Sequence, residues 1–266
     1  MFTKILYINL DRRTDRKKHI EKQLSKINWT GKVERISAVD GRELDLSTLT
    51  SLFTQKALKE ASTTEKVNFK HGFYMTRGAI GCSLSHRKAW LNILNNDDEK
   101  VLVLEDDIYF NDNFIDQLNN YLNNIKDYDL LYLGYHHLSH GQEYYKYHSK
   151  PRGVVYGLFG YIVNKRIAQK LLDIFPIENQ IDTDIIKVFK NSKVYLLPRN
   201  NKIIKSEESH LAKLGTDIQV IEIDSNQNKN KNKNENKNEN ENENKYNILI
   251  SLILVIIIIS LRMCKN

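Results

Sequence analysis

Three consecutive carboxylates, Glu105, Asp106 and Asp107, follow an unbroken apolar run at residues 101–104. Such a run reads as a strand buried on both faces, and its carboxyl end is the edge where α/β sheets bind ligands. Like charges this close oppose one another's ionisation unless something cationic sits among them. Carboxylate oxygens are the hard ligands that Mn²⁺ and Mg²⁺ take, with substrate phosphates completing the shell. The trio therefore reads as a metal–diphosphate site, with Glu105 and Asp107 as metal ligands and Asp106 assisting. The plainer alternative is a solvated acidic turn in which Asp107 or Asp112 caps the next helix.

Three other segments carry residues of the right types. The segment INLDRRTDR at 8–16 follows a strand-like run and opens a helix, where backbone amides and the helix dipole favour an anion. Asn9, Arg12, Arg13 and Arg16 are its candidate diphosphate contacts, since guanidinium groups grip phosphate in bidentate fashion; a basic, solvated first turn is the alternative. The run RGAIGCSLSH at 77–86 offers Gly81, Ser85 and His86 to the same cofactor, or is simply a tight turn with serine caps. Cys82 reads there as a small packing residue and His86 as a hydrogen-bonded neighbour of the site rather than a base. In IDTD at 181–184, Asp182 is either a helix N-cap or a general base that deprotonates an attacking hydroxyl, with Asp184 as the other candidate base.

The elements that must position these residues alternate. Residues 3–10, 33–39, 101–104, 129–134, 154–159, 161–163 and 194–197 read as strands, the last of them ending the sheet. Helices are predicted over 15–27 with Thr14 as N-cap, from a Ser47 cap through Ala57, over 78–95, after an Asn113 cap, and over 165–173 and 183–190. Residues 134–153 lack periodicity and read as a mobile loop that carries Tyr135, His136 and His137 as an acceptor platform or lid. This alternation predicts an α/β domain around a largely parallel sheet flanked by helices.

Composition narrows the function classes. The net charge is +7, but residues 226–245 and the C-terminal tip supply three of those charges. Much of the remainder is the cluster Arg12, Arg13, Arg16, Lys17 and Lys18, a size that suits a diphosphate; no nucleic-acid partner is expected. Two cysteines without a CxxC partner give neither a zinc ribbon nor a disulfide framework.

Taken in order, INLDRRTDR, AVDG, GAIGCSLSHRKAW, VLEDDIYF, DLLYLG, GYIVNKRIAQKLL and IDTDI make the chain similar to glycosyltransferase family 25. The resemblance covers about residues 3–190 and implies a GT-A-like (Rossmann-like) fold, a UDP-hexose donor carrying galactose or glucose, a divalent cation (Mn²⁺, with Mg²⁺ as the alternative), and inversion at the anomeric carbon. The acceptor it implies is a hydroxyl of a glycan or protein. It matches Glu105, Asp106 and Asp107 to the family's acidic motif and Asp182 to an aspartate before the late helix. Two departures bear on activity: Ala79 stands where the family usually has glutamate, and the segment after the last strand is short. A catalytically inactive membrane-anchored scaffold and a metal-dependent nucleotidyl or phosphoryl transferase are the competing readings.

Three segments follow: a catalytic domain at 1–225, a linker at 226–245 and an anchor at 246–264. The linker is almost wholly Asn, Lys and Glu, so it has no apolar surface to offset its ordering entropy. Residues 248–261 contain no charge, and the 246–264 span would measure about 28 Å as a helix, close to the ~30 Å hydrocarbon core. With no signal peptide ahead of it, this arrangement predicts a single-pass, C-terminally anchored protein whose catalytic domain faces the cytosol. The sequon Asn28-Trp29-Thr30 provides the check: expressed in eukaryotic cells, Asn28 should stay unmodified, and a glycosidase-sensitive mobility shift would reverse the topology.

Overall fold

The first strand, β1 (Lys4–Asn9), is buried along its whole length, including Lys4, whose ammonium group reaches Glu34 at 2.7 Å and Asn92 at 2.8 Å. The computed structural model describes residues 2–63, 66–67, 74–198, 203–206 and 220–221. The linker and anchor segments lie outside them. Among the described residues, no helix is long and apolar enough to cross a membrane.

After β1 come α1 (Thr14–Lys26), β2 (Lys32–Ser37), α2 (Gln55–Thr63), β3 (Lys66–Val67), α3 (Arg77–Asn95), β4 (Lys100–Glu105), β5 (Ile108–Phe110) and α4 (Phe114–Asn124). The chain continues through β6 (Leu130–Gly134), β7 (His137–Leu138), β8 (Gln142–Tyr144), β9 (Ser149–Pro151), β10 (Val155–Tyr156) and β11 (Gly160–Asn164). Then follow α5 (Lys165–Leu172), α6 (Ile181–Asp184), β12 (Val194–Leu196), β13 (Ile204–Ser206) and β14 (Val220–Ile221). The fold is mixed α/β. Its main sheet has the order β2-β1-β4-β11-β6-β12-β9-β8. Strands β2, β1, β4, β6, β12 and β8 share one direction, while β11 and β9 oppose it.

Alternation along the central strands divides the core into two layers. Leu6, Val101, Val103, Tyr132 and Tyr161 face the side covered by α2, α3 and α5, while Ile5, Leu102, Leu104, Leu131 and Ile162 face the side covered by α1 and α4. Strands buried on both faces cannot show an apolar–polar alternation, which is why residues 101–104 read as a solid apolar block. Helix α3 packs tightly against residues 39–41. An ideal Cβ at Gly81 would stand 2.5 Å from the Val39 oxygen and 2.7 Å from the Gly41 nitrogen, both backbone atoms.

Several elements differ from the sequence expectation. The helix expected from Ser47 is two pieces: Asp45 accepts from the Ser47 amide and closes a 3₁₀ turn at Leu46–Leu49, and the α-helix restarts at Gln55 behind Thr54, whose hydroxyl accepts from the Ala57 amide. Local side-chain bonds of this kind compete with a continuous helix. Thr14 is the first helical residue rather than the cap. Asn113 does occupy an N-cap position, but in the left-handed region and with no side-chain capping bond. Residues 134–153 form paired strands rather than a loop: β8 pairs with β9, β9 with β12, and β7 with β10. Ladders two or three residues long leave no periodicity to read. The helix expected at 183–190 is α6 followed by a 3₁₀ stretch, Ile185–Asn191. Strand β12 does not end the secondary structure, because β13 pairs with β5 and β14 with β3.

The close approach of α3 to residues 39–41 has a measurable consequence. Gly81→Ala should cost about 1–3 kcal/mol by overpacking, read as a lowered urea midpoint; an unchanged midpoint would show that the helix can shift without penalty.

Candidate active site

Strand β4 delivers Glu105 at its last residue, and the tight turn to β5 carries Asp106 and Asp107. The three side chains diverge in role. Asp106 is buried, 6% exposed, and accepts from Asn9 Nδ2 at 2.7 Å and Arg16 Nη1 at 2.9 Å. Arg16 also reaches Asp107 Oδ2 at 3.2 Å, so one guanidinium on the first turns of α1 serves two of the three carboxylates. Asn9 is held in turn: its Oδ1 accepts from Arg35 Nε at 3.0 Å and its Nδ2 also donates to the Arg13 carbonyl.

Glu105 faces α3. His86, 1% exposed, places Nε2 3.2 Å from Glu105 Oε1 and Nδ1 2.8 Å from the Tyr161 hydroxyl. That hydroxyl already accepts from Trp90 Nε1 at 3.0 Å and has one proton left to give. In the arrangement that gives every proton an acceptor, Tyr161 donates to Nδ1 and Nε2–H donates to Glu105. Burial alone would raise the Glu105 carboxyl, but the His86 hydrogen bond and the neighbouring positive charges bring it below its ordinary value.

Asp107 is the opposite case. Burial, then the negative charge of Glu105, push its carboxyl up to about 7, against the lowering influence of Arg16. The Ser206 hydroxyl on β13 lies 3.3 Å from Asp107 Oδ1. Burial also raises Asp106, and Arg16 and Asn9 only partly offset it. The edge thus carries more negative charge than its protein neighbours neutralise.

Asp182, on α6, lies near enough to this edge to feel the Glu105 charge. Its carboxyl accepts from the Gly157 amide at 3.2 Å and is raised chiefly by burial, with the negative charge of Glu105 adding to the rise. Gly157 holds φ +93°, and a Cβ there would meet His136 Cδ2 at 2.8 Å, so the amide that orients Asp182 depends on a glycine. Asp184 lies elsewhere. It is buried under the amides of Glu178 and Asn179 and the Lys187 ammonium group, bonds that outweigh burial and lower its pKa. It locks the turn into α6.

The remaining candidates scatter. Arg12 ion-pairs with Asp40 at 2.7 Å and Arg13 with Asp15 at 2.7 Å. Gly81 and Ser85 hold the 39–41 loop against α3; the Ser85 hydroxyl accepts from the Val39 amide and donates to the Gly81 carbonyl. Ala79, in the first turn of α3, is buried in the core. Sequence reasoning missed Tyr161, Gly157 and Ser206. Tyr161 was hidden inside a wholly apolar strand, and Ser206 comes from a strand whose pairing with β5 no local pattern announces.

Residues 2–186 match the profile of glycosyltransferase family 25 (LPS biosynthesis protein). The chain belongs to glycosyltransferase family 25. It is 31% identical over 192 residues to procollagen galactosyltransferase 2 of Homo sapiens, a match covering 69% of this chain and 29% of that relative. A glycosyltransferase 25 family member of Drosophila pseudoobscura pseudoobscura is 31% identical over 190 residues, or 68% and 28%. The probable inactive glycosyltransferase 25 family member 3 of Bos taurus is 27% identical over 190 residues, or 69% and 31%. The matches thus span less than a third of the length of these curated relatives. Among solved structures, the glycosyltransferase GlyE of Streptococcus pneumoniae overlaps with a TM-score of 0.41 at 13% identity, covering 73% of this chain and 45% of that one; an overlap that loose adds nothing to the family match.

The raised Asp107 pKa fixes a pH signature. Its folded value lies near 7, against an ordinary 3.8. Between about pH 4 and 7 the folded state therefore binds more protons than the unfolded one, so this group removes stability as pH rises. Asp107→Asn should gain on the parent protein from pH 5 to pH 8 in urea titrations. A pH-independent difference would remove the claim that Asp107 is an uncompensated acid.

Proposed function

We propose that this chain is a metal-dependent glycosyltransferase that moves a hexose, galactose or glucose, from a UDP-sugar to a hydroxyl of a glycan or protein with inversion. The observation that carries the reading is the under-neutralised edge: ionised Glu105 beside an Asp107 whose carboxyl sits near 7, with Asp182 converging on the same place. Perturbed acids clustered in this way mark functional sites. The family match supports the reaction class. A parallel run of β2, β1 and β4 followed by antiparallel β11 supports a GT-A-like reading of the sheet.

The donor set fits a hard divalent cation, Mn²⁺ or Mg²⁺. Glu105 and Asp107 would hold it, because Asp106 is committed to Arg16 and Asn9. Such an ion supplies Lewis-acid neutralisation of the donor pyrophosphate. The protein's own residues do the rest. Arg16 and Asn9 fix the acidic turn, His86 orients Glu105, and Asp182 takes the proton of the acceptor hydroxyl as it attacks. A raised pKa brings Asp182 closer to the range in which a general base works well. Attack by the deprotonated acceptor from the face opposite the diphosphate would invert the anomeric centre. In the full chain, the apolar segment at 246–264 would tether this domain to a membrane, with the catalytic side in the cytosol.

A second reading, an inactive scaffold, draws on Ala79 and on the bovine relative described as probably inactive. One experiment separates the two: a UDP-release screen across nucleotide-sugars, with and without Mn²⁺. The transferase should release UDP only with metal. Asp107→Asn should abolish release, and Asp182→Asn should lower it by about 10²–10⁴-fold, both with unchanged circular dichroism. Parent-level rates in either variant would sink the assignment, and no release from any donor would favour the scaffold.

A further inference from the structure

We propose that Cys82, His86 and Glu105 form a binding site for a borderline-soft divalent cation, Zn²⁺ above all, overlapping the carboxylate pair at Glu105. The thiol sulfur, a His86 ring nitrogen and a Glu105 oxygen all lie within 4.8 Å of one another. The two α3 residues are four apart, so they stand one above the other on one helix face. Glu105 meets that face from the end of β4.

The donor chemistry differs from that of the acidic pair. Thiolate, imidazole and carboxylate around one ion make a three-ligand zinc set that leaves a fourth position open to water. Zinc–ligand distances of about 2.0–2.3 Å in a tetrahedron place ligand atoms about 3.4–3.6 Å apart. His86 and Glu105 already stand 3.2 Å apart, so the Cys82 side chain need close by only about 1 Å to complete the set. Cys82 is a free thiol and partly exposed, which gives an ion a way in.

Burial, and then the negative charges of Glu105, Asp182 and Asp107, push the Cys82 thiol well above its ordinary value; a cation held among these acids would offset that cost of forming the thiolate. Metal-bound histidines characteristically have an outer partner on the second ring nitrogen, and Tyr161 occupies that place, itself held by Trp90. Binding through Nε2 moves the imidazole proton to Nδ1, which then donates to the Tyr161 oxygen; the thiol proton leaves to solvent. Across first-row metals, affinity for such a site rises from Mn²⁺ through Co²⁺ to Zn²⁺, so thiolate and imidazole select against the hard ions that the paired carboxylates take.

The test uses the full chain with Cys264→Ser as background, so that only Cys82 can supply sulfur. Zn²⁺ is titrated calorimetrically in excess Mg²⁺, and the Co²⁺-loaded protein is examined for a thiolate-to-metal charge-transfer band. One equivalent of Zn²⁺ and a clear band are expected. Cys82→Ser should abolish the band and weaken Zn²⁺ binding at least tenfold, and His86→Gln should weaken it while retaining sulfur character. Absence of the band in the parent protein, or a loss of less than threefold in Cys82→Ser, would overturn the proposal. Neither readout passes through catalysis, so failure of the transferase reading would leave the result intact.

Discussion

Arg16 has to stay charged and in place for the edge of this sheet to exist in its present form. Its guanidinium, buried in the first turns of α1, pairs with Asp106 at 2.9 Å and with Asp107 at 3.2 Å. Three adjacent carboxylates leaving a fully buried strand would otherwise be a desolvated block of like charge. One arginine cannot neutralise all of them. What remains over is an excess of negative charge at the turn, which the Arg16–Asp106–Asn9 contacts hold in place.

The three carboxylates have consequently been separated by environment although they are adjacent in sequence. Asp106 is structural. Glu105 is kept ionised by the His86–Tyr161–Trp90 chain, and Asp107 is left near 7 by burial and by Glu105. Neighbouring acids with pKa values pushed apart give a site both a permanent anion and a readily exchanged proton. Asp182 adds a third condition, since its orientation rests on a backbone amide that only the positive φ of Gly157 presents.

Packing around α3 ties these parts together. The helix carries Cys82 and His86 toward Glu105 on one face, while Gly81 and Ser85 clamp residues 39–41. A displacement of α3 would therefore disturb the Glu105 orientation and the β2 exit loop at once. The paired strands of residues 134–153 make the same point on the other flank: β9 extends the sheet beyond β12, and the β7–β10 pairing leads directly to Gly157.

Some of this was open to reading in the chain itself. Apolar blocks such as residues 101–104, the helical spacing of 77–95 and the order of the motifs determine the α/β alternation and the family, because burial on both faces and helix periodicity leave their marks locally. The acidic trio and Asp182 stand out for the same reason: charge at the end of an apolar run is conspicuous. Tertiary structure alone decided which members of each motif meet. Arg16 rather than its neighbours pairs with Asp106 because of where α1 lies on the sheet, Asp184 turns away into its own loop two residues after Asp182, and Tyr161 and Ser206 arrive from strands 75 and 99 residues beyond the groups they serve, His86 and Asp107. Distances of that kind are set by sheet order and register, which depend on long-range pairing energies that no short window of sequence contains.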